Sequence, residues 1–309
     1  MLALTVLAGT VAFASAERHG FKHSPINHEM VAAIRERTPA WESHDPETNP
    51  LNKYSREELL GLIGAYMPEP VIVAEDQSIV SANPANFDPR TEKFNNCIHA
   101  VRDQAQCGSC WAFGATEALS DRFCIKGQDV ILSPQDLVSC DYNNYGCNGG
   151  YINLTWQYLM NSGAVLDTCF PYGSASGQAP ACRSTCQNGA AWKKYKCASG
   201  SIVNPTAVEN IKTELYNNGP MEGAFTVYED FFNYKSGVYY HVSGGVAGGH
   251  AIKIIGWGVE SGLNYWLCAN SWGTSWGMTG FFKIKQGDCG INGQVYGCTP
   301  SVASALEFY

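Results

Sequence analysis

Long hydrophobic runs are missing from this chain. Apart from an apolar start, no stretch reaches the roughly 18 apolar residues that a membrane-spanning helix needs. The start itself is too short for a span and ends Ala14-Ser-Ala16, a cleavage-type pattern that lacks the usual basic beginning. Residues 1–16 are therefore read as a signal peptide on a secretory-route chain. Basic residues are also in short supply, with 20 Lys and Arg against 28 Asp and Glu and a net charge of −8. That balance argues against nucleic acid or an anionic membrane as a partner. Repeats and low-complexity tracts are absent. Cysteine is absent from the first 96 residues, and all thirteen lie between Cys97 and Cys298. In a secreted chain this density means a disulfide framework, and the odd number leaves a candidate free thiol.

The stretch that organises the rest is Gln104-Ala-Gln-Cys-Gly-Ser-Cys-Trp111. A Cys-x-x-Cys on its own could be a redox pair or half of a zinc site. No second Cys-x-x-Cys or Cys/His pair at metal spacing follows, and no βαβ pattern surrounds it, so no metal is expected. A disulfide between Cys107 and Cys110 would occlude a nucleophile, so Cys107 is expected to bond elsewhere. Cys110 opens an apolar run in which Phe113, Leu119 and Phe123 share a core-facing side, with Gly127 as a stop. Cys110 then sits in the first turn of a helix, where unpaired N–H groups and the helix dipole favour a thiolate. The Cys110 N–H and the Gln104 amide are placed to face a developing oxyanion.

A nucleophilic thiol needs a base. His23, His28 and His44 lie with His19 in the N-terminal part, and His99 lies close to the nucleophile segment, which leaves His241 and His250. His241 reads as a polar strand residue. His250 follows two glycines, begins an apolar strand and lies 140 residues beyond Cys110.

Six blocks carry a resemblance: Arg102-Asp-Gln-Ala-Gln-Cys-Gly-Ser-Cys-Trp-Ala-Phe-Gly114, Gly146-Cys-Asn-Gly-Gly-Tyr151, Asn218-Gly-Pro-Met-Glu-Gly-Ala-Phe225, Tyr234-Lys-Ser-Gly-Val-Tyr239, Gly248-Gly-His-Ala-Ile-Lys-Ile-Ile-Gly-Trp-Gly258 and Tyr265-Trp-Leu-Cys-Ala-Asn-Ser-Trp-Gly273. From about Pro84 onward the chain resembles the papain family of cysteine proteases, and within it the cathepsin B group. The resemblance implies an α+β fold of two lobes. The first is helical and disulfide-rich; the second is antiparallel and barrel-like, with the active-site cleft between them. It implies Cys110 as nucleophile, His250 as base, Asn270 as the group orienting the imidazole, Gln104 as oxyanion donor and Trp272 as a cover over the Asn–His contact. Gly149 and Gly150 would pair with a substrate strand. Gln294 falls where the cathepsin B group has a glutamate at the base of its main pocket, so apolar or aromatic residues are expected there in preference to arginine. The residues 170–181 contain no histidine, whereas the group carries a longer loop with a histidine pair. An open cleft and mainly endopeptidase activity are expected.

The resemblance also implies the pairs Cys97–Cys124, Cys107–Cys147, Cys140–Cys182 and Cys169–Cys186. Cys197–Cys298 is the preferred fifth link, leaving Cys268 and Cys289 as thiols. Residues 17–80 are expected to be an inhibitory propeptide, with a helix near Ser55 marked by a capping-box pattern, and residues 81–309 the mature domain. Asn153-Leu-Thr155 is a glycosylation sequon. No cofactor is expected. The expected partners are protein or peptide substrates, the chain's own propeptide and cystatin-type inhibitors, acting on a monomer in a lysosome, another acidic vacuole or outside the cell. The alternative is a non-catalytic member of the fold that only binds peptides.

Overall fold

Helix α3, Cys110–Ile125, lies at the centre of the molecule and is buried over nearly its whole length. The computed structural model describes residues 23–37, 40–67 and 83–302. The signal-peptide expectation, His19 and the expected cleavage near residue 81 lie outside them. In chain order the other elements are α1 (His28–Arg37), β1 (Trp41–Ser43), α2 (Arg56–Gly61), α4 (Pro134–Cys140), α5 (Ile152–Asn161), α6 (Val208–Asn218), β2 (Met221–Tyr228), β3 (Tyr234–Tyr239), β4 (Val246–Glu260), β5 (Leu263–Ala269), β6 (Phe281–Lys285) and β7 (Val295–Tyr296).

Two packed cores explain the two lobes. In the first, Trp111, Ala115, Leu119 and Phe123 of α3 meet Leu132, Leu137, Trp156 and Leu159 of the flanking segments. Ser133 caps α4 through the Asp136 N–H at 3.1 Å, with Pro134 at the first helical position, where a missing N–H costs nothing. In the second core, Phe225, Phe231, Trp266, Trp276 and Phe282 fill the sheet's interior. The sheet order is β1-β3-β6-β5-β4-β2-β7. Every neighbouring pair is antiparallel except β3 with β6, which runs parallel at Val238↔Lys283.

Five disulfides tie the framework: Cys97–Cys124, Cys107–Cys147, Cys140–Cys182, Cys169–Cys186 and Cys197–Cys298. Cys110, Cys268 and Cys289 are free thiols, the first two buried. Asn153 is exposed in the first turn of α5, and Thr155 of its sequon is buried with its hydroxyl donating to the Tyr151 carbonyl at 3.0 Å.

The N-terminal residues are built into this body. Strand β1 pairs with β3, the Trp41 indole donates to the Tyr240 carbonyl at 3.2 Å, and the Asn49 amide donates to the Phe232 carbonyl at 3.1 Å. Helix α2 carries the capping box: Ser55 Oγ accepts the Glu58 N–H, and the Glu58 carboxylate accepts the Ser55 N–H. Leu59 and Leu62 beyond it bury into the second lobe's core, which aims residues 62–67 across the groove between the lobes.

Candidate active site

Ser109 has non-helical dihedrals and offers no side-chain cap, so the first N–H groups of α3 stay open around Cys110. The Cys110 sulfur accepts the Gly64 N–H at 3.3 Å and faces the N–H groups of Ala251 and Trp111. Ala251 follows His250 on β4, so the strand of the second lobe runs directly past the thiol of the first.

His250 is fully buried, and its Nε2 lies 2.7 Å from Asn270 Oδ1. That oxygen also accepts the Ser271 N–H at 2.8 Å, which fixes it as the acceptor end of the amide. Nε2 therefore carries the ring proton and Nδ1 is left with a lone pair. Among the described residues Nδ1 has no hydrogen-bond partner. Trp272 is buried, its ring 4.8 Å from the His250 ring, and it stacks on Phe232 at 5.7 Å. These rings keep water from the His250–Asn270 contact.

Gln104 is anchored twice to the opposite wall: its N–H reaches the Ser271 carbonyl at 2.9 Å, and its Oε1 accepts the Ser271 hydroxyl at 2.6 Å. This orientation turns Nε2 inward, where it donates to the Leu62 carbonyl at 3.0 Å and the Cys107 carbonyl at 2.8 Å. A carbonyl of the N-terminal segment thus occupies the donor expected to meet an oxyanion.

Residues 64–67 run between the lobes as an extra strand. Ala65 pairs with Gly150 in parallel and with Gly249 in antiparallel sense. The Gly150 N–H donates to Gly64 O at 2.8 Å, the Tyr66 N–H to Gly150 O at 2.9 Å, and the Ala65 N–H to Gly249 O at 3.0 Å. A Cβ at Gly249 would overlap the Ala65 carbonyl oxygen, and one at Gly149 (φ 117°) would lie 2.7 Å from Gly64 O. Glycine is needed at both walls because a backbone passes between them. Met67 packs beyond, its side chain over Gly249 at the edge of the first lobe's apolar core. The Gln294 carbonyl accepts the Ala224 N–H at 2.9 Å, placing Gln294 at the entry to β7 beside this apolar patch. The 170–181 loop lies along the first lobe, with Gln106 donating to the Ala175 carbonyl at 3.1 Å.

Burial under this strand sets the charge states. It pushes the Cys110 thiol up to about 11, against the N–H groups that face the sulfur, and takes His250 down to about 4, against its bond to Asn270. In the covered chain, loss of water thus works against the thiolate that the helix start favours. Consistently, no hydrogen bond joins Cys110 to His250, and the sulfur takes the Gly64 N–H instead.

The motifs do not point to a charged group that links the lobes next to this site. Lys253, on β4, is buried and bonds Asp121 of α3 at 2.7 Å, with Glu117 at 4.0 Å. Asp121 also binds His99 Nδ1 at 2.6 Å, and His99 Nε2 meets Asp129 at 2.9 Å. The signal was available: Glu117, Asp121 and Lys253 are charges inside runs whose neighbours are apolar. His241 lies just past β3 and stacks on Tyr228 at 3.7 Å while its Nδ1 meets Asp230. Among the described residues no His, Cys, Asp and Glu cluster suited to a metal ion is found.

A family model described as papain family cysteine protease matches residues 83–299. Cathepsin B-like cysteine proteinase 3 of Caenorhabditis elegans is 41% identical over 274 residues, covering 80% of this chain and 70% of that protein. A gut-specific cysteine proteinase of the same organism is 44% identical over 261 residues, 76% and 79% of the two chains. Among solved structures, procathepsin B S9 from Trypanosoma congolense superposes with a TM-score of 0.81 at 31% identity, covering 90% of this chain and all of that one. Digestive procathepsin L2 from Tenebrio molitor gives 0.69 at 28% identity, over 89% and 88%. With its central helix, glycine-walled groove and paired imidazole and amide, this chain belongs to the papain family of cysteine proteases.

Proposed function

We propose that this chain is a cathepsin B-like cysteine peptidase made as a latent precursor, with Cys110 as nucleophile, His250 as general base and acid, Asn270 as its orienting partner and Gln104 with the Cys110 N–H as oxyanion donors. The observation that carries the reading is the His250 ring, whose Nε2 is committed to Asn270 while Nδ1 keeps a free lone pair on the strand that passes Cys110. Residues 17–80 act as the propeptide. They block the groove with a strand whose N–H, rather than a carbonyl carbon, faces the sulfur, so the thiol meets no electrophile.

On removal of that strand water reaches the groove, and the burial that holds both groups neutral is relieved. Cys110 then passes its proton to His250 Nδ1 and attacks the substrate carbonyl. The tetrahedral oxyanion takes the place of the Leu62 carbonyl at Gln104 Nε2. His250 returns the proton to the leaving amine, the thioester forms, and a water deprotonated by the same imidazole hydrolyses it. Without histidines over residues 170–181 nothing holds a substrate's C-terminal carboxylate, which favours cleavage within chains. The neutral Gln294 beside Ala224 favours apolar or aromatic side chains in the main pocket. Five disulfides fit a chain oxidised on the secretory route, which delivers to a lysosome, another acidic vacuole or the outside of the cell.

The test is incubation at acid pH with a thiol reductant and a dipeptidyl fluorogenic substrate. Activity should rise together with loss of N-terminal mass; loss of that mass with no activity toward any peptide sinks the reading. Two variants sharpen it. A Cβ at Gly64 would overlap the Gly108 carbonyl oxygen, so Gly64→Ala should lift the strand off the sulfur. The unprocessed variant is expected to show at least about tenfold more activity than the unprocessed parent, from roughly 1.4 kcal/mol or more of lost contact. Gln104→Ala should lower kcat of the activated enzyme about 10²- to 10³-fold with little change in KM, as measured by steady-state kinetics.

A further inference from the structure

Tyr172 joins the two ends of the nucleophile loop. Its hydroxyl donates to the Gln104 carbonyl at 2.8 Å and lies 2.8 Å from the hydroxyl of Ser109, the residue before Cys110. A phenol has one proton and a carbonyl can only accept, so that proton goes to Gln104 and Ser109 donates to the Tyr172 oxygen. The bonds run one way, from Ser109 through Tyr172 to Gln104. Burial pushes the phenol up to about 12, which keeps the donor protonated from acid to neutral pH. Tyr172 is itself held from outside the loop. Its ring meets Phe113 of α3 edge-on at 4.8 Å; on either side of it the Phe170 carbonyl accepts the Ser133 hydroxyl at 2.6 Å, and the Gly173 N–H donates to the Gln135 side chain of α4 at 2.8 Å.

We propose that Tyr172 is a positioning residue for the oxyanion site, holding Gln104 and the start of α3 at the spacing that lets two donors meet one oxygen. This rests on the peptidase reading above, in which the Gln104 amide and the Cys110 N–H are those donors. They sit at opposite ends of the loop 104–110, so their separation depends on what closes that loop. Gln104 is fixed to the second lobe through its N–H and its Oε1, both on Ser271. The bond from Tyr172 ties the same residue's carbonyl to the lobe that carries Cys110. Pinned on both sides, Gln104 keeps its Nε2 aimed at the sulfur's side of the groove once the Leu62 carbonyl has left. A loosened donor loses much of its effect, because preorganisation is what makes a donor in a dry site worth more than water. Tyr172 needs no contact with substrate for this role; it acts through Gln104 and Ser109.

The experiment uses the full chain, activated by acid and reductant, as the parent, Tyr172→Phe, Gln104→Ala and the double variant. Tyr172→Phe keeps the ring and deletes the hydroxyl. It is expected to lower kcat on a fluorogenic peptide about tenfold, with KM within about twofold of the parent's. In the Gln104→Ala background the same change should cost no more than about threefold, because its main target is gone. Alkylation of Cys110 by iodoacetamide builds no oxyanion, so its rate in Tyr172→Phe should stay within about twofold of the parent's. A general loosening of the site would instead slow both reactions and add in full to Gln104→Ala. Either of those results overturns the proposal, as does an unchanged kcat. If Tyr172→Phe does not fold, Ser109→Ala decides by the same two assays: a loss in kcat of about threefold with normal alkylation supports the role, and a parental kcat overturns it. Activated parent that cleaves no peptide refutes the peptidase reading and this role with it; full activity in Tyr172→Phe refutes the positioning role alone.

Discussion

Cys110→Ala is expected to lower kcat/KM by about 10⁵-fold or more, measured on a fluorogenic peptide after the leader has been removed by an added protease. No other group can take the sulfur's place: Cys268 is sealed within the second lobe's core, and Cys289 is held by burial and by Asp288 far above the range in which a thiol ionises. His250→Ala should cost a similar amount, and the double variant little more than either single one, because thiol and imidazole act as one unit. What remains should be the small residual rate of the oxyanion donors and the groove. Iodoacetamide labelling gives a second readout. The wild-type precursor should react slowly, since burial keeps the thiol at about 11, and the activated enzyme fast. Retention of more than a few per cent of activity in Cys110→Ala would require a different nucleophile.

Stability is expected to fall as the pH rises from about 5 toward 8, opposite to the acid lability of many proteins. Burial pushes the Glu117 carboxyl from 4.5 up to about 7, with Lys253 and Arg102 pulling it back. A carboxyl raised on folding holds a proton that the unfolded chain gives up between those two values. The folded state is therefore favoured fully below about pH 4.5, and that advantage is lost as the pH climbs through 7. At about 1.4 kcal/mol per pH unit the difference is on the order of 3 kcal/mol. Glu222, buried with Trp156 donating to it at 2.7 Å, is raised by burial too and acts in the same direction. Glu117→Gln should flatten the dependence, read as urea midpoints at pH 5 and pH 7.5. Equal slopes in variant and parent would show that Glu117 ionises elsewhere.

Much of this molecule is legible in the linear chain, because its chemistry is local. Cys110 opens an apolar run that stops at Gly127, so a helix start at the thiol can be read without coordinates. The same holds for the Ser133 cap ahead of Pro134 and the box at Ser55 and Glu58, where the paired atoms are three residues apart. Helix α5 escapes notice because it has no capping side chain, and packing against the body decides it, whereas α1 is capped by Asn27, whose Oδ1 accepts the Met30 N–H at 2.8 Å. The parallel strand pair of the described sheet, β3 with β6, joins residues more than forty apart, and no local pattern encodes it.

The sequence by itself determined the candidate nucleophile, the candidate base and the glycines that let a backbone pass, since each depends on a residue's own chemistry or reach. Only the tertiary structure decided the burial of the thiol, the use of Gln104 by the Leu62 carbonyl, the ionic link from Lys253 to Asp121 and the packing of Tyr66 on Tyr145 and Tyr151. All four depend on which groups exclude water from which others, and that is a property of surfaces brought together from distant parts of the chain.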